Sequence, residues 1–410
     1  MFNPKNRHGS CFLERVFLEL RFSCPRAQQP SQLSGIFSVP GGHVRHDQVA
    51  LCRAYRRDVV TALTRTNVRE RIERLSEAAS DARTFRADVL SELHRVVGFD
   101  AHVWLLTDPV TTVGSDPHAD VPAFGQLPSL IKFKYLTTVN RWSDLAIRQM
   151  EVASLVEATG ADLAKSLLWR EVLKNYGVTD VASVVMADRY GCWGFLDLWR
   201  RGTPRAFDDD EIAFLRGLAS VLTRALRVRQ SATFSTTPPS RRRDSGPIVL
   251  VLSEDLEVVS QTVAAEEWLR TLLPAARDLP PVPASVYNSA AQLLAVERRV
   301  DLHEARARVH LARGMWITVR AARLGTQIAV SLEASSPDER LEVFALAHGM
   351  SAREVELLGM LADGSNTKLI AERMFLSELT VQDHLKSIFA KSQTHNRRSL
   401  LAQIFGTRAG

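Results

Sequence analysis

The stretch from Gly349 to Phe405 constrains this chain more than any other part of it. Four short runs of helical periodicity follow one another there, each opened by a capping residue. Ser351 stands three residues before Glu354, the spacing of a capping box, in which the two side chains satisfy amides at the helix start. Val355, Leu358, Leu361 and Ala362 then recur at helical spacing until Asp363-Gly364 ends the run. Asn366 or Thr367 caps a second helix with Ile370, Ala371 and Met374 inward. Ser377 caps a third with Val381, Leu385, Ile388 and Phe389 on one side. Asn396 begins a fourth, with Leu400, Leu401 and Ile404 inward and Gly406 as its stop. Two short helices joined by a few residues, the second with a polar face, spell a helix-turn-helix.

That polar face is where function is expected. Gln382, Asp383 and Lys386 lie off the apolar stripe and near the helix N-terminus, where recognition helices touch base edges. Gln suits adenine, Asp accepts from cytosine N4, and Lys donates to guanine. Thr380 and the free amides of the first turn suit a phosphate oxygen. After Asp383 the chain carries Lys386, Lys391, Arg397, Arg398 and Arg408 and no acid. His384 shares a face with Val381, Leu385 and Ile388 and reads as a backing residue. The plainer alternative is a four-helix packing module with a solvated face.

These residues resemble the DNA-binding domain of LuxR-type transcriptional regulators. Ser351-Ala352-Arg353-Glu354 matches the family's Thr-x-Arg-Glu opening, and Ile370-Ala371 its first motif helix. Ser377, Thr380-Val381, His384, Lys391 and Arg397 follow in the family's order. The resemblance implies double-stranded DNA as a partner, with Lys391, Arg397 and Arg398 on phosphates. It also implies a homodimer joined through the last helix at Leu400, Leu401 and Ile404, and the transcription machinery as a further partner. Three departures stand out. Asn366-Thr367-Lys368-Leu369 replaces Ser-Asn-Lys-Glu, Gln382 replaces a common Lys, and Ser392-Gln393 replaces Leu-Gly. The last removes a core side chain and the residue best suited to a left-handed cap, at a cost of about 1 kcal/mol.

A chain of 410 residues is too long for one such module and predicts two to four domains. Its hydrophobic share of 45% and charged share of 24% are those of a globular protein, and a net charge of +6 fits a nucleic-acid partner weakly. Cys11, Cys24, Cys52 and Cys192 show no Cys-x-x-Cys spacing, so neither a zinc site nor a disulfide framework is expected. No run reaches the roughly 18 apolar residues of a membrane helix. Glu14, Arg15 and Glu19 interrupt any signal-peptide core, so a cytoplasmic location is expected, with no membrane contact.

Residues 1–68 read as a poorly ordered extension, and translation could start internally near Val68. From 69 to 230 the order is helix, strands, helices, strands, helix. It has an amphipathic run through Phe85, Val89 and Leu93, a buried strand from Ala101, and a helical region over 130–173. A strand pair at 181–187 and 192–199 follows, and then an acidic helix start at Phe207-Asp208-Asp209-Asp210-Glu211. This order resembles a GAF-type sensory domain. Trp104, Phe195 and Trp199 could line a pocket, although core packing is the commoner role. Residues 231–246, with Arg241-Arg242-Arg243, form a linker. Two strands, helices and three strands over 247–335 resemble a PAS domain, 336–347 a helical connector, and 348–410 the DNA-binding unit. The expected fold class is α+β and multidomain: GAF-like and PAS-like α/β sensory domains followed by an all-α four-helix helix-turn-helix domain.

The function implied is a one-component regulator, with a small-molecule effector in one sensory domain and no cofactor. A phosphorylated response regulator needs parallel strands alternating with helices, a pattern missing here. A phosphate-binding Gly-x-x-x-x-Gly-Lys loop is absent, since no lysine follows a glycine. An enzyme would need a centre such as Cys192, which lacks a basic neighbour in sequence to activate it. His102 and His118 are read as packing or surface residues, not as ligands to haem or metal.

Overall fold

The computed structural model describes residues 63–202, 205–235, 247–272, 282–311 and 314–406. Positions 1–62 of the expected extension and Arg241–Arg243 of the linker lie outside them. Helix α1 covers 63–77 and takes in residues read as extension, because Val68 and Ile72 stand four apart and bury one face.

Helix α2 (Ala82–Leu93), strands β1 (Ala101–Thr107) and β2 (Gly114–Asp120), and helices α3 (Leu127–Leu136) and α4 (Trp142–Ile147) follow. Next come β3 (Val152–Ser154), α5 (Leu155–Thr159), α6 (Leu167–Glu171), and the hairpin β4 (Val178–Asp188) and β5 (Gly191–Arg201). The strands make one antiparallel sheet in the order β2-β1-β5-β4-β3. The expected helical region over 130–173 is thus four short helices around a three-residue edge strand. Thr137 turns extended at the end of α3, and Gly160 stops α5 in the left-handed region.

Strand period sorts the sheet's two faces. Trp104, Leu196 and Leu198 pack into one core with α2 and with α7 (Asp209–Ala232), whereas Leu105 and Phe195 join another with Tyr135 and Trp142. The acidic start of α7 is a complete capping box of Asp208 and Glu211, and Glu211 also holds Arg200 at 2.7 Å.

A second sheet follows: β6 (Ile248–Leu252), β7 (Val258–Gln261), helices α8 (Val263–Leu272) and α9 (Ala284–Glu297), then β8 (Arg306–His310), β9 (Trp316–Leu324) and β10 (Gln327–Ala334). Its order is β7-β6-β10-β9-β8, again antiparallel throughout. Neither sheet has the parallel strands of a phosphoacceptor domain. Polar bonds stitch the two together. Lys132 pairs with Asp255 at 2.7 Å, Ser143 donates to Asp301, and Thr111 to the Arg306 carbonyl. At the centre, Arg308 meets Asp108 through Nε at 2.7 Å and Nη2 at 2.8 Å, with neither side chain exposed. Burial alone would raise the Asp108 pKa, but Arg308 outweighs it and holds the carboxyl down.

The C-terminal part is all helical: α10 (Pro337–Ala347), α11 (Ala352–Ala362), α12 (Thr367–Met374), α13 (Glu378–Ser392) and α14 (Arg397–Phe405). Its core runs through α10 into that of α7 by way of Phe344, Ala347, Met350 and Leu357. The buried Arg340 guanidinium donates to the carbonyls of Ile404 at 2.6 Å, Gln403 at 3.1 Å and Gly314 at 3.2 Å. It thereby fastens the end of α14 to the loop before β9. Phe234 stacks on Trp316 at 4.8 Å and meets Phe344 edge-on at 5.3 Å beside it. Between α10 and α11, Gly349 takes φ 64, and a Cβ there would come within 3.2 Å of Tyr190 at the β4–β5 turn. A side chain at 349 would be strained on both counts.

Candidate nucleic-acid interface

Local capping chemistry places the helices of this interface. Ser351 Oγ accepts from the Glu354 amide, Asn366 Oδ1 from Leu369, Ser377 Oγ from Thr380 and Asn396 Oδ1 from Ser399. Asn366, not Thr367, is therefore the cap of α12. Phe375 ends α12 in the left-handed region at φ 56, where glycine is the usual residue. Gln393 does the same for α13 at φ 53. The core position lost to Ser392 is filled by hydrogen bonds: its hydroxyl donates to the Ile388 carbonyl at 2.7 Å and pairs with Thr394 Oγ1 at 2.9 Å.

The expected core residues divide. Ile370, Ala371, Met374, Val381 and Ile388 are buried, whereas His384 and Leu385 are only half-buried. Gln382, Asp383 and Lys386 are all exposed, and Thr380 is half-buried with its hydroxyl 2.9 Å from Ser377 Oγ. Lys386 Nζ lies 3.1 Å from Asp383 Oδ1, an exposed pair that contributes little and is free to exchange for other partners. The outward face has one more member, unread in the sequence. Leu379, 67% exposed, precedes Gln382 by three residues and completes the series 379, 382, 383, 386, which is one helical stripe. Phe375, 94% exposed, sits beside its start. Apolar side chains at such points suit thymine methyl groups. The spacing from Leu379 to Gln382 was the available signal.

The cations expected on phosphates also divide. Lys391 Nζ lies 2.6 Å from Glu354 Oε2, whose other oxygen accepts from Ser387 at 2.6 Å. Glu354 is 3% exposed; burial raises its pKa, but the bonds from Lys391, Ser351 and Ser387 outweigh it and hold the carboxyl down at about 2. This cluster ties α11 to α13. Arg397 Nη2 donates to the Leu361 carbonyl at 3.1 Å and ties α14 to the end of α11. Both residues thus have structural partners inside the bundle. Arg398, Lys368 and Arg373 are exposed and have no ion-pair partner among the described residues. On α14, Leu400 and Ile404 have no exposed surface and Leu401 is half-buried.

Elsewhere the groups considered for other chemistry are packed. Burial pushes the Cys192 thiol up to about 12, the reverse of what a nucleophile needs. His102 and His118 stack at 5.6 Å, and burial lowers the pKa of both. Among the described residues no group of three or more His, Cys, Asp or Glu could hold a metal ion, and no helix is long and apolar enough to cross a membrane.

Residues 348–403 match the family described as bacterial regulatory proteins, luxR family. A monoamine regulon transcriptional regulator from Klebsiella aerogenes is 41% identical over 54 residues, covering 13% of this chain and 24% of the relative. The chain thus spans about a quarter of that relative's length, and the family match falls on the helical bundle.

Proposed function

We propose that this chain is a one-component transcriptional regulator. Its C-terminal LuxR-family helix-turn-helix domain reads operator DNA, and the two sheet units before it, GAF-like and PAS-like, govern how that domain is presented. The observation that carries the first part is the stripe of Leu379, Gln382, Asp383 and Lys386, exposed on a helix whose opposite side is fixed by Val381 and Ile388. Thr380, Arg398, Lys368 and Arg373 would hold the phosphates around it, whereas Lys391 and Arg397 would act by shaping the bundle. The strand order common to both sheets supports the sensory reading, and the Arg340 bonds and the Tyr190–Gly349 approach support a path from them to the bundle. The first contact would bias the placement of α14 and the second that of α11, so a ligand that favours one placement would shift DNA affinity.

A homodimer reading two half-sites about ten base pairs apart follows from the domain type. Leu401 would offer the apolar surface, since Leu400 and Ile404 face their own core. Such a protein acts where the chromosome is, in the cytoplasm.

Operator selection by sequencing tests the recognition helix. Gln382→Lys should change the preferred base at one position by roughly 1–3 kcal/mol while leaving the melting temperature unchanged. An unaltered operator would remove Gln382 from the interface. Leu401→Glu should reduce the DNA-bound species from two copies to one. Arg340→Ala should change operator affinity although it is buried on α10 and off the recognition helix, and no change would count against the regulatory half.

A further inference from the structure

A cavity of about 250 Å³ lies between the first sheet and helices α3 and α9. Val103, Leu105 and Trp199 of the sheet, Leu130 and Ile131 of α3, and Trp142 of α4 make its wall mostly apolar. At about 30 Å³ per water it has room for roughly eight waters, or for an organic molecule of similar bulk.

The two opposite charges on its wall neutralise each other. Lys134 Nζ lies 2.8 Å from Asp197 Oδ2. That carboxylate also accepts from Trp142 Nε1 at 2.9 Å and Ser183 Oγ at 2.6 Å, and the Lys134 ammonium lies 4.5 Å from the Trp142 ring centroid. Neither group is left to hold an ion. His118 is held toward its neutral form by burial and by Arg86, and Arg83 is exposed to solvent.

Asn288 of α9 is the exception. It lines the cavity and has no exposed surface, yet neither Oδ1 nor Nδ2 has a hydrogen-bond partner among the described residues. Buried polar groups are almost always paired, so an amide with both functions open marks a place where a partner belongs. A second amide fits both at once: Nδ2–H donates to its carbonyl, and Oδ1 accepts from its N–H.

We infer that this cavity binds an uncharged small molecule bearing an amide or lactam group. Asn288 pairs with that group, and the apolar body lies against Trp142, Trp199 and Leu130. The site is complete only at the seam, since Asn288 and Ala284 come from the second unit and the rest of the wall from the first. Occupancy therefore fastens α9 to β2 and α3. This assigns a place and a chemical class to the effector of the proposed regulator, and it rests on that reading only for the consequence at DNA.

Benzamide and benzoate, matched in shape and differing in charge, test it by calorimetric titration of the full chain, with δ-valerolactam as a second amide. Benzamide should bind saturably and raise the melting temperature, with benzoate at least about tenfold weaker. Asn288→Leu, close in volume, should weaken benzamide about tenfold or more without lowering the melting temperature of the free protein. A lower melting temperature with unchanged benzamide affinity would mean that Asn288 is only structural, and the inference falls. It falls equally, with no variant needed, if benzoate matches benzamide or if neither amide binds at about 10 mM. Benzamide binding that depends on Asn288 but leaves operator affinity unchanged would uphold the site and refute the regulatory reading.

Discussion

The two sheets share one strand order but fill their inner faces differently. In each, the last strand is central, flanked by the first and the fourth, and a helical crossover carries the chain from the second strand to the third. In the first sheet that crossover supplies α3 and α4, which leave a cavity bounded by Lys134, Trp142 and Asp197. In the second it supplies α8 and α9, and Val286, Ala290, Ala291, Leu294 and Ala295 of α9 pack into an apolar core with β9 and β10. The difference teaches that strand order fixes connectivity, while the side chains of the crossover decide whether a face is filled or hollow. A helix of small residues buried all round can lie against two layers at once. A helix whose buried groups are an ion pair is placed by that pair's geometry.

The comparison breaks most sharply at the seam. Arg308→Ala strands the buried Asp108 carboxylate and should cost about 3–5 kcal/mol in denaturant unfolding. If the sheets are independent, the loss would instead appear as two separate transitions with the second unchanged. Next, truncation should sense the hollow face. Leu250→Ala in the filled core should cost about 2–5 kcal/mol. Leu130→Ala, whose side chain already borders empty space, should cost about 1–2 kcal/mol by the same measurement. Equal losses would mean that the cavity closes in solution.

The smallest effect concerns protons. His310 Nε2 accepts from the Gly314 amide at 3.2 Å, and burial with Arg340 nearby pushes the ring down to about 4 from the ordinary 6.5. The unfolded chain therefore binds the proton first. The stability that this neutral ring contributes is complete above pH 6.5 and is lost as the pH falls toward 4. His118 in the first sheet is shifted the same way, chiefly by burial, but is more open to solvent. Melting temperatures over this range should flatten more in His310→Gln than in His118→Gln.

The helical bundle was largely legible because caps are local chemistry. Ser351, Ser377, Asn396 and Gly406 act at the positions read from sequence, and the strand pair read at 181–187 and 192–199 stands where alternation put it. What escaped was whatever depends on distant partners or lacks a period. Strand β2, Gly-Ser-Asp-Pro-His-Ala-Asp, has no β-branched residue and tolerates Pro117 because it is an edge. Helix α9 has no polar face to mark it, and β3 is three residues long. The bonds of Lys391 and Arg397 inside the bundle also left no local mark, since Glu354 and the Leu361 carbonyl lie more than thirty residues away.

The shared helix α9 also has a consequence during synthesis. The first sheet is finished when β5 ends at Arg201, but part of its inner face waits for a helix that ends at Glu297. At ribosomal speeds of about 5–20 residues per second, that interval is roughly 5–20 s. Throughout it, the side of the sheet carrying Leu105 and Phe195 lacks its final cover, long enough for a nascent chain to meet another or a chaperone. Expression yield should therefore respond to translation rate between Arg201 and Glu297 more than to the rate across the terminal bundle, which completes its own core within about sixty residues.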